Sequence, residues 1–191
     1  MNLFLKRLGG FYKYRFLMQQ LVTKDIKLKY RRSFLGYLWS ILNPLMVMVI
    51  MVIVFSNMFR SDIVNFPVYL IIGQTLYNFM SESTTQAIFS IIGNASLLKK
   101  TYVPKYVFTV SKITSSFVNM VFALGALVIV FVVCRVVPNV FYLFIPVILL
   151  QEYLFCLGLG MLLAQGCVFF RDIQHIYNAV LTAWMYLTPL F

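Results

Sequence analysis

Apolar residues in this chain gather into five long runs separated by short polar stretches. A helix needs about 20 mostly apolar residues to cross roughly 30 Å of hydrocarbon. The runs that match this requirement are 34–59, 66–92, 107–134, 141–165 and 173–191. Alternation with a period of two, which would indicate strands, is absent, and an open strand edge cannot be satisfied in lipid. The pattern predicts an all-α polytopic membrane protein with five spanning helices.

The segment before the first run has the pattern of an amphipathic helix. Its apolar side consists of Tyr14, Leu17, Met18, Leu21 and Leu28, whereas lysines, arginines and amides occupy the rest. Asp25 interrupts this apolar stripe. A helix of this kind lies in the headgroup plane or packs on a partner, and the two are not exclusive. We therefore divide the chain into a cytoplasmic amphipathic helix at 1–32 and a transmembrane domain at 33–191.

The composition agrees with a membrane location. Hydrophobic residues make up 62% of the chain and charged residues 11%, against roughly 45–50% and about 25% in ordinary globular proteins. A soluble fold of this size has too much surface for its volume to hide so many apolar side chains. Lipid is therefore the expected solvent.

The positions of the cations predict the orientation. Nine of the 16 lysines and arginines precede the first run, four cluster around the link between the second and third runs, and Arg171 separates the last two. The other two links carry only Arg60 and Arg135. The positive-inside rule then places the N-terminus in the cytoplasm. Topology and lipid contact account for the net charge of +11, and we expect no nucleic-acid partner.

The boundary of the first run carries cations and aromatic rings. Lys29, Arg31 and Arg32 would hold it against anionic headgroups, at about 1 kcal/mol each. Tyr37 and Trp39 suit the interface between membrane and water, where a ring with one polar edge is stable.

The second run contains a polar stretch, 81–86, past its middle. A carboxylate at this depth costs about 2.5–3.5 kcal/mol on insertion scales, so Glu82 should face protein or water. Ser81, Glu82 and Gln86 either line a polar path or form buried contacts between helices, and the sequence leaves both open. For the serines and threonines, buried contacts are favoured.

Two cytoplasmic segments complete the candidate sites. The short link after the second run is amphipathic, which suits a membrane-surface element or a docking site for a cytosolic protein. Its residues are Leu97, Leu98, Lys99, Lys100, Tyr102, Val103 and Pro104. Arg171 and Asp172 adjoin each other between the fourth and fifth runs, and we expect a local ion pair that caps the fifth span.

Several kinds of chemistry have no support in the residues. The three cysteines and the single histidine show no metal-ligand spacing and are expected to be packing residues. No P-loop sequence is present, so we expect no nucleotide on this chain. The cationic first thirty residues lack a cleavage site after an apolar stretch, and we expect no removable signal peptide.

Four stretches, in order, resemble the permeases of type-2 ABC exporters. They are YRRSFLGYLWSILNPLMVMVIMVIVFSNMF, IIGQTLYNFMSESTTQAIFSIIGNASLLKKTYVPKYV, FFRDIQHI and WMYLTPLF. The first is similar to the branch that exports lipid-linked polysaccharides such as O-antigen, capsule or teichoic acid. The resemblance covers nearly the whole chain, but no motif in it identifies the cargo.

This resemblance implies a six-helix fold, a homodimer in the bacterial inner membrane and a separate ATPase subunit that binds ATP and magnesium. Because only five runs are present, we expect the sequence to lack the sixth span. The segment 97–104 resembles the coupling helix that docks on the ATPase, and the N-terminal helix resembles a gate helix. Asn43 and Pro44 would let the first span bend where a polyprenyl-linked glycan enters. The expected gate and entry residues are therefore Arg31, Arg32, Tyr37, Trp39, Asn43 and Pro44.

Two alternatives remain open, and only one of them is a different class of protein. A permease of the same superfamily that exports a drug or a lipid would differ only in cargo. A membrane enzyme that processes glycans should show several carboxylates or arginines at the membrane edge, whereas the aspartates here, Asp25, Asp62 and Asp172, are scattered.

Overall fold

The computed structural model describes residues 12–31, 35–58, 65–136 and 139–188. The helices are α1 (Arg15–Tyr30), α2 (Trp39–Met58), α3 (Phe66–Gly93), α4 (Ala95–Lys100), α5 (Tyr106–Val133), α6 (Ile145–Phe169) and α7 (Ile173–Leu187). Short 3-10 turns at Gly36–Leu38 and Val140–Phe144 lead into α2 and α6. The described ranges contain no strand, so the all-α prediction is confirmed. Arg32, a predicted gate residue, lies outside them.

Helix α3 forms the centre of the bundle. It packs mainly on α5 and α6, and also touches α2 and α7. One apolar cluster joins α3, α5, α6 and α7 around Phe79, Ile88 and Ile113, and a second joins α2, α3 and α5 around Met48 and Ile71. The helix with the most polar residues among the predicted spans is thus the one with the most protein neighbours.

Gly160 allows α6 to approach α3 and α5 closely. A Cβ atom at this position would lie 2.8 Å from Cδ1 of Ile113 and 3.0 Å from Cβ of Ala87. Both neighbours are fully buried. Small residues at helix interfaces serve this purpose in membranes, where close van der Waals packing holds helices together.

Three stretches in the described ranges are long and apolar enough to cross a membrane: Gly36–Val54, Tyr106–Val133 and Val140–Phe169. The other two predicted spans form helices but do not meet this criterion. Helix α3 is long enough, at 28 residues, and its polar residues lower its hydropathy. Helix α7 has 15 residues and, at 1.5 Å each, reaches only about 22 Å. Composition and length thus support three of the five predicted spans.

The predicted amphipathic helix packs on the bundle through most of its apolar side. Tyr14, Leu17, Met18 and Leu21 are half-buried, and α1 contacts α5. Leu28 departs from the prediction, since it is 51% exposed. Asp25 lies on the packed side because its carboxylate accepts a hydrogen bond from the Lys112 ammonium of α5, over 2.9 Å. The residue that interrupted the sequence pattern is therefore an attachment point.

The expected ion pair between Arg171 and Asp172 is not found. Both residues form the exposed turn between α6 and α7, and the ion pairs within the described part of the chain do not include them. The backbone carbonyl of Asp172 accepts from the amides of His175 and Ile176 and so begins α7. Asp172 has helical backbone angles, and residues i and i+1 do not face each other on a helical turn, so sequence neighbours need not form an ion pair.

Candidate functional site

A cleft of about 630 Å³ opens where α1 and the start of α2 meet α3 and α5. Eleven of its 16 lining residues have polar or charged side chains, although the helices that form it are largely apolar. The lining residues are Lys29, Trp39, Ser40, Asn43, Pro44, Thr75, Asn78, Phe79, Ser81, Glu82, Thr85, Gln86, Ser116, Asn119, Met120 and Ala123. The volume falls within the roughly 300–1,000 Å³ of ordinary ligand sites.

Glu82 is the carboxylate of this cleft and holds several of its walls together. Its Oε1 atom accepts from Nζ of Lys29 at 2.6 Å, from Nε2 of Gln86 at 3.0 Å and, at the 3.5 Å limit, from Nδ2 of Asn119. These donors come from α1, α3 and α5. The Lys29 and Glu82 side chains remain 43% and 34% exposed, so the pair faces the cleft rather than the core.

The polar stretch of α3 divides between two faces. Ser81, Glu82, Thr85 and Gln86 line the cleft. Ser83, Thr84 and Ser90 are fully buried and donate hydrogen bonds to backbone carbonyls of their own helix. Thr84 also accepts from Tyr177 of α7, and Ser90 bonds to Thr109 of α5. Both interpretations left open by the sequence therefore have residues that fit them, one on each face.

The predicted gate residues occupy different places. Trp39, Asn43 and Pro44 line the cleft, and α2 continues through Pro44. The Tyr37 ring instead packs on Phe122 of α5, with ring centroids 5.7 Å apart. Arg31 is exposed at the end of α1. Three of these five described gate residues are thus brought together with Glu82.

A second, inner chamber of about 290 Å³ adjoins the cleft. Asn43 and Asn78 line both spaces, and Gln74, Tyr77 and Met185 are among the other walls of the chamber. Sequence reasoning did not single out Gln74, Asn78, Ser116 or Asn119. In the sequence, each of these four residues stands out only as a polar side chain within an apolar run. That pattern does not by itself distinguish a cleft-lining residue from a contact between helices.

Glu152 is a further acidic residue in an apolar helix that sequence reasoning passed over. It lies in α6 and is half-buried, yet it does not line the cleft. Glu152 is the only charged residue in the run 141–165, and this feature of the sequence could have identified it.

The predicted coupling segment is separate from the cleft, since none of its residues lines it. It consists of α4 and the extended residues after it. Leu97, Leu98, Val103 and Pro104 are half-buried, and Lys99 and Lys100 are exposed. Tyr102 is 97% exposed, a large apolar ring that its own chain leaves uncovered. Docking of a partner here stays a prediction.

Within the described residues, no group of three or more histidine, cysteine or acidic side chains could hold a metal ion. Cys156 and Cys167 are buried and Cys134 is half-buried, each as a free thiol.

Comparison with known proteins gives a consistent set of relatives. The model of the ABC-2 type transporter family matches residues 17–191. An O-antigen export system permease protein of Myxococcus xanthus is 34% identical, over 94% of this chain and 69% of the relative. One from Klebsiella pneumoniae is 30% identical, over 91% and 68%. A capsule polysaccharide export inner-membrane protein of Neisseria meningitidis is 24% identical, over 90% and 66%. The chain belongs to the ABC-2 type transporter family.

Proposed function

We propose that the protein is the membrane-spanning permease subunit of an ATP-driven exporter that moves a lipid-linked polysaccharide across the cytoplasmic membrane. The relatives named as permeases of O-antigen and capsule export support this cargo class. The observation that carries the proposal is the polar cleft around Glu82. A cleft with amide and hydroxyl walls inside an apolar bundle gives a hydrophilic chain a route that lipid does not.

The energy would come from a separate ABC ATPase, which carries the ATP and magnesium. Its docking site on this chain is the segment 97–104, with Tyr102 as the central contact. Two permease copies would form a homodimer, and ATP-driven closure of the ATPase subunits would move α4 and open the route. This chain then contributes transport without hydrolysis of its own.

The expected location is the bacterial inner membrane with a cytoplasmic N-terminus. Fourteen of the 16 cations fall on the same predicted side of the membrane, which supports this orientation. We predict that a cysteine at Asn139 reacts with an impermeant thiol reagent in intact cells, whereas one at Lys100 reacts only after the cells are opened. The reverse result would overturn the orientation and the docking site together.

Deletion of the gene in its native host tests the function. We expect surface polysaccharide to fall to background and lipid-linked polysaccharide to accumulate inside, because its route is lost while synthesis continues. Re-expression of the deleted gene should restore export only when the partner ATPase can hydrolyse ATP. Unchanged surface polysaccharide, with altered sensitivity to drugs, would instead indicate the drug-exporting alternative.

A further inference from the structure

We infer that the cleft and the inner chamber form one binding groove for an uncharged, hydroxyl-rich segment of the glycan, with Asn43 and Asn78 at the junction as its specificity-determining residues. This inference rests on the proposed function and refines it. It assigns the bound part of the substrate and the residues that select it, within a single permease copy.

The groove follows one stripe of α3. Gln74, Asn78, Glu82 and Gln86 recur every four residues and therefore lie on the same side of the helix. At 1.5 Å per residue they extend over roughly 18 Å, more than half of the hydrocarbon thickness. Gln74 faces the inner chamber, Glu82 and Gln86 face the cleft, and Asn78 faces both. The two spaces are therefore successive parts of one route.

The walls suit hydroxyl groups in particular. A side-chain amide offers both donors and an acceptor, which matches a sugar hydroxyl that also donates and accepts. Asn43, Gln74, Asn78, Gln86 and Asn119 supply such amides along the groove. The Trp39 ring in the cleft and the Tyr77 ring in the chamber add flat apolar surfaces, on which the C–H faces of a pyranose can stack.

Within the described part of the chain, two buried polar atoms at the groove lack a hydrogen-bond partner. They are Oγ of Ser116 and Oε1 of Gln74. Ser116, only 1% exposed, lines the cleft, and Gln74 lines the chamber. Buried polar atoms are nearly always hydrogen-bonded in native proteins, so such exceptions need an explanation. Ligand hydroxyls in the groove would provide the missing partners at both ends.

The charge of the groove excludes a strongly ionic ligand. Among the described residues, the charged ones that line it are Lys29 and Glu82, which neutralise each other at 2.6 Å. Glu82 also accepts from Gln86 through the same oxygen, Oε1, and its charge is balanced by Lys29. A cationic drug would need an unpaired carboxylate, and a phosphate group would need an unpaired cation. The groove therefore fits the sugar part of a lipid-linked glycan, with its charged groups elsewhere.

Photo-crosslinking in exporting cells tests this assignment. A diazirine amino acid is placed at Asn78, or at Val128 as a control, since Val128 is 58% exposed on α5 and lines neither space. The cells are fed a radioactive hexose that labels their own glycan. Light should attach label to the permease from position 78 and not from 128. Absence of label at 78 while export continues would overturn the groove and leave the proposed function standing.

A second measurement needs no probe at the site. Asn78→Asp would place an unpaired charge in an otherwise neutral groove, so we expect export to slow at least about tenfold, which corresponds to about 1.4 kcal/mol. Asn78→Gln, which keeps the amide, should slow it less. Asn139→Asp, at an exposed position before the 3-10 turn that leads into α6 and away from both spaces, is the matched control and should export normally. Equal rates for all three variants, at equal membrane levels, would contradict the inference even if export itself depends on the protein.

Discussion

Tyr102→Asp is expected to stop export while the permease still folds, inserts and pairs with the proposed second copy. Tyr102 is 97% exposed, and substitutions at such positions usually change stability by no more than about 0.5 kcal/mol. If the ring seats in a groove on the ATPase, the aspartate would be a buried, unpaired charge in that contact, at a cost of several kcal/mol. The measurement is co-purification of the ATPase together with surface polysaccharide.

Two neighbouring variants give this experiment its controls. Lys99→Ala, at the exposed edge of the segment, should retain the ATPase and most of the export. Leu98→Asp should also lose the ATPase, but Leu98 is half-buried against its own chain, so its effect combines docking with local packing. Normal co-purification of Tyr102→Asp would mean that the segment rests on lipid and that energy enters elsewhere.

Glu82→Lys is expected to abolish export by a different route, at the cleft. The substitution would bring two ammonium groups together where Lys29 and Glu82 are now 2.6 Å apart. Their repulsion would separate α1 from α3 at the mouth, while the pair between Asp25 and Lys112 still attaches α1 to α5. Both Lys29 and Glu82 are at least a third exposed, and such pairs contribute only about 0–1 kcal/mol to stability. The folded protein should therefore persist at a normal level, and the loss should appear in export.

Exchanging the two charged residues, Lys29 and Glu82, tests whether their charge pairing or another property of Glu82 supports export. Lys29→Glu combined with Glu82→Lys restores opposite charges at the same two positions and should recover part of the export. Glu82→Gln, which keeps the hydrogen bond to Gln86 but not the charge, should slow export and preserve expression and pairing of the two copies. If every Glu82 variant instead loses folded protein from the membrane, the residue is a packing contact and not part of the route.

The two ion pairs together define how α1 sits on the bundle. Asp25 and Lys29 are one helical turn apart on α1 and carry opposite charges, and each meets its complement on a different helix. A slip of α1 by one turn would place like charges together. The more buried pair, Asp25 with Lys112, attaches the helix, and the more exposed pair borders the cleft. Movement of α1 that opens the cleft would therefore break the Lys29–Glu82 pair first.

Apolar periodicity alone was enough to predict the helical class and the sequence order of the helices, because a chain in lipid must satisfy its backbone within each segment. The same argument found Glu82, since a carboxylate within an apolar run must face protein or water. It also found the amphipathic α1. These are properties of single segments, so the sequence of each segment determines them.

Only the tertiary structure decided what each polar residue faces. Ser83 and Thr84 lie on the packed side of α3, whereas Glu82 and Gln86 face the cleft. Asp25 pairs with Lys112, and Lys29 pairs with Glu82. Asn43 and Asn78, from different helices, meet at one junction. Arg171 and Asp172, in an exposed turn, form no ion pair with each other. The physical reason is that a membrane requires only that polar groups avoid lipid. Which neighbour satisfies them depends on how the helices pack, and that information is distributed over residues far apart in the chain.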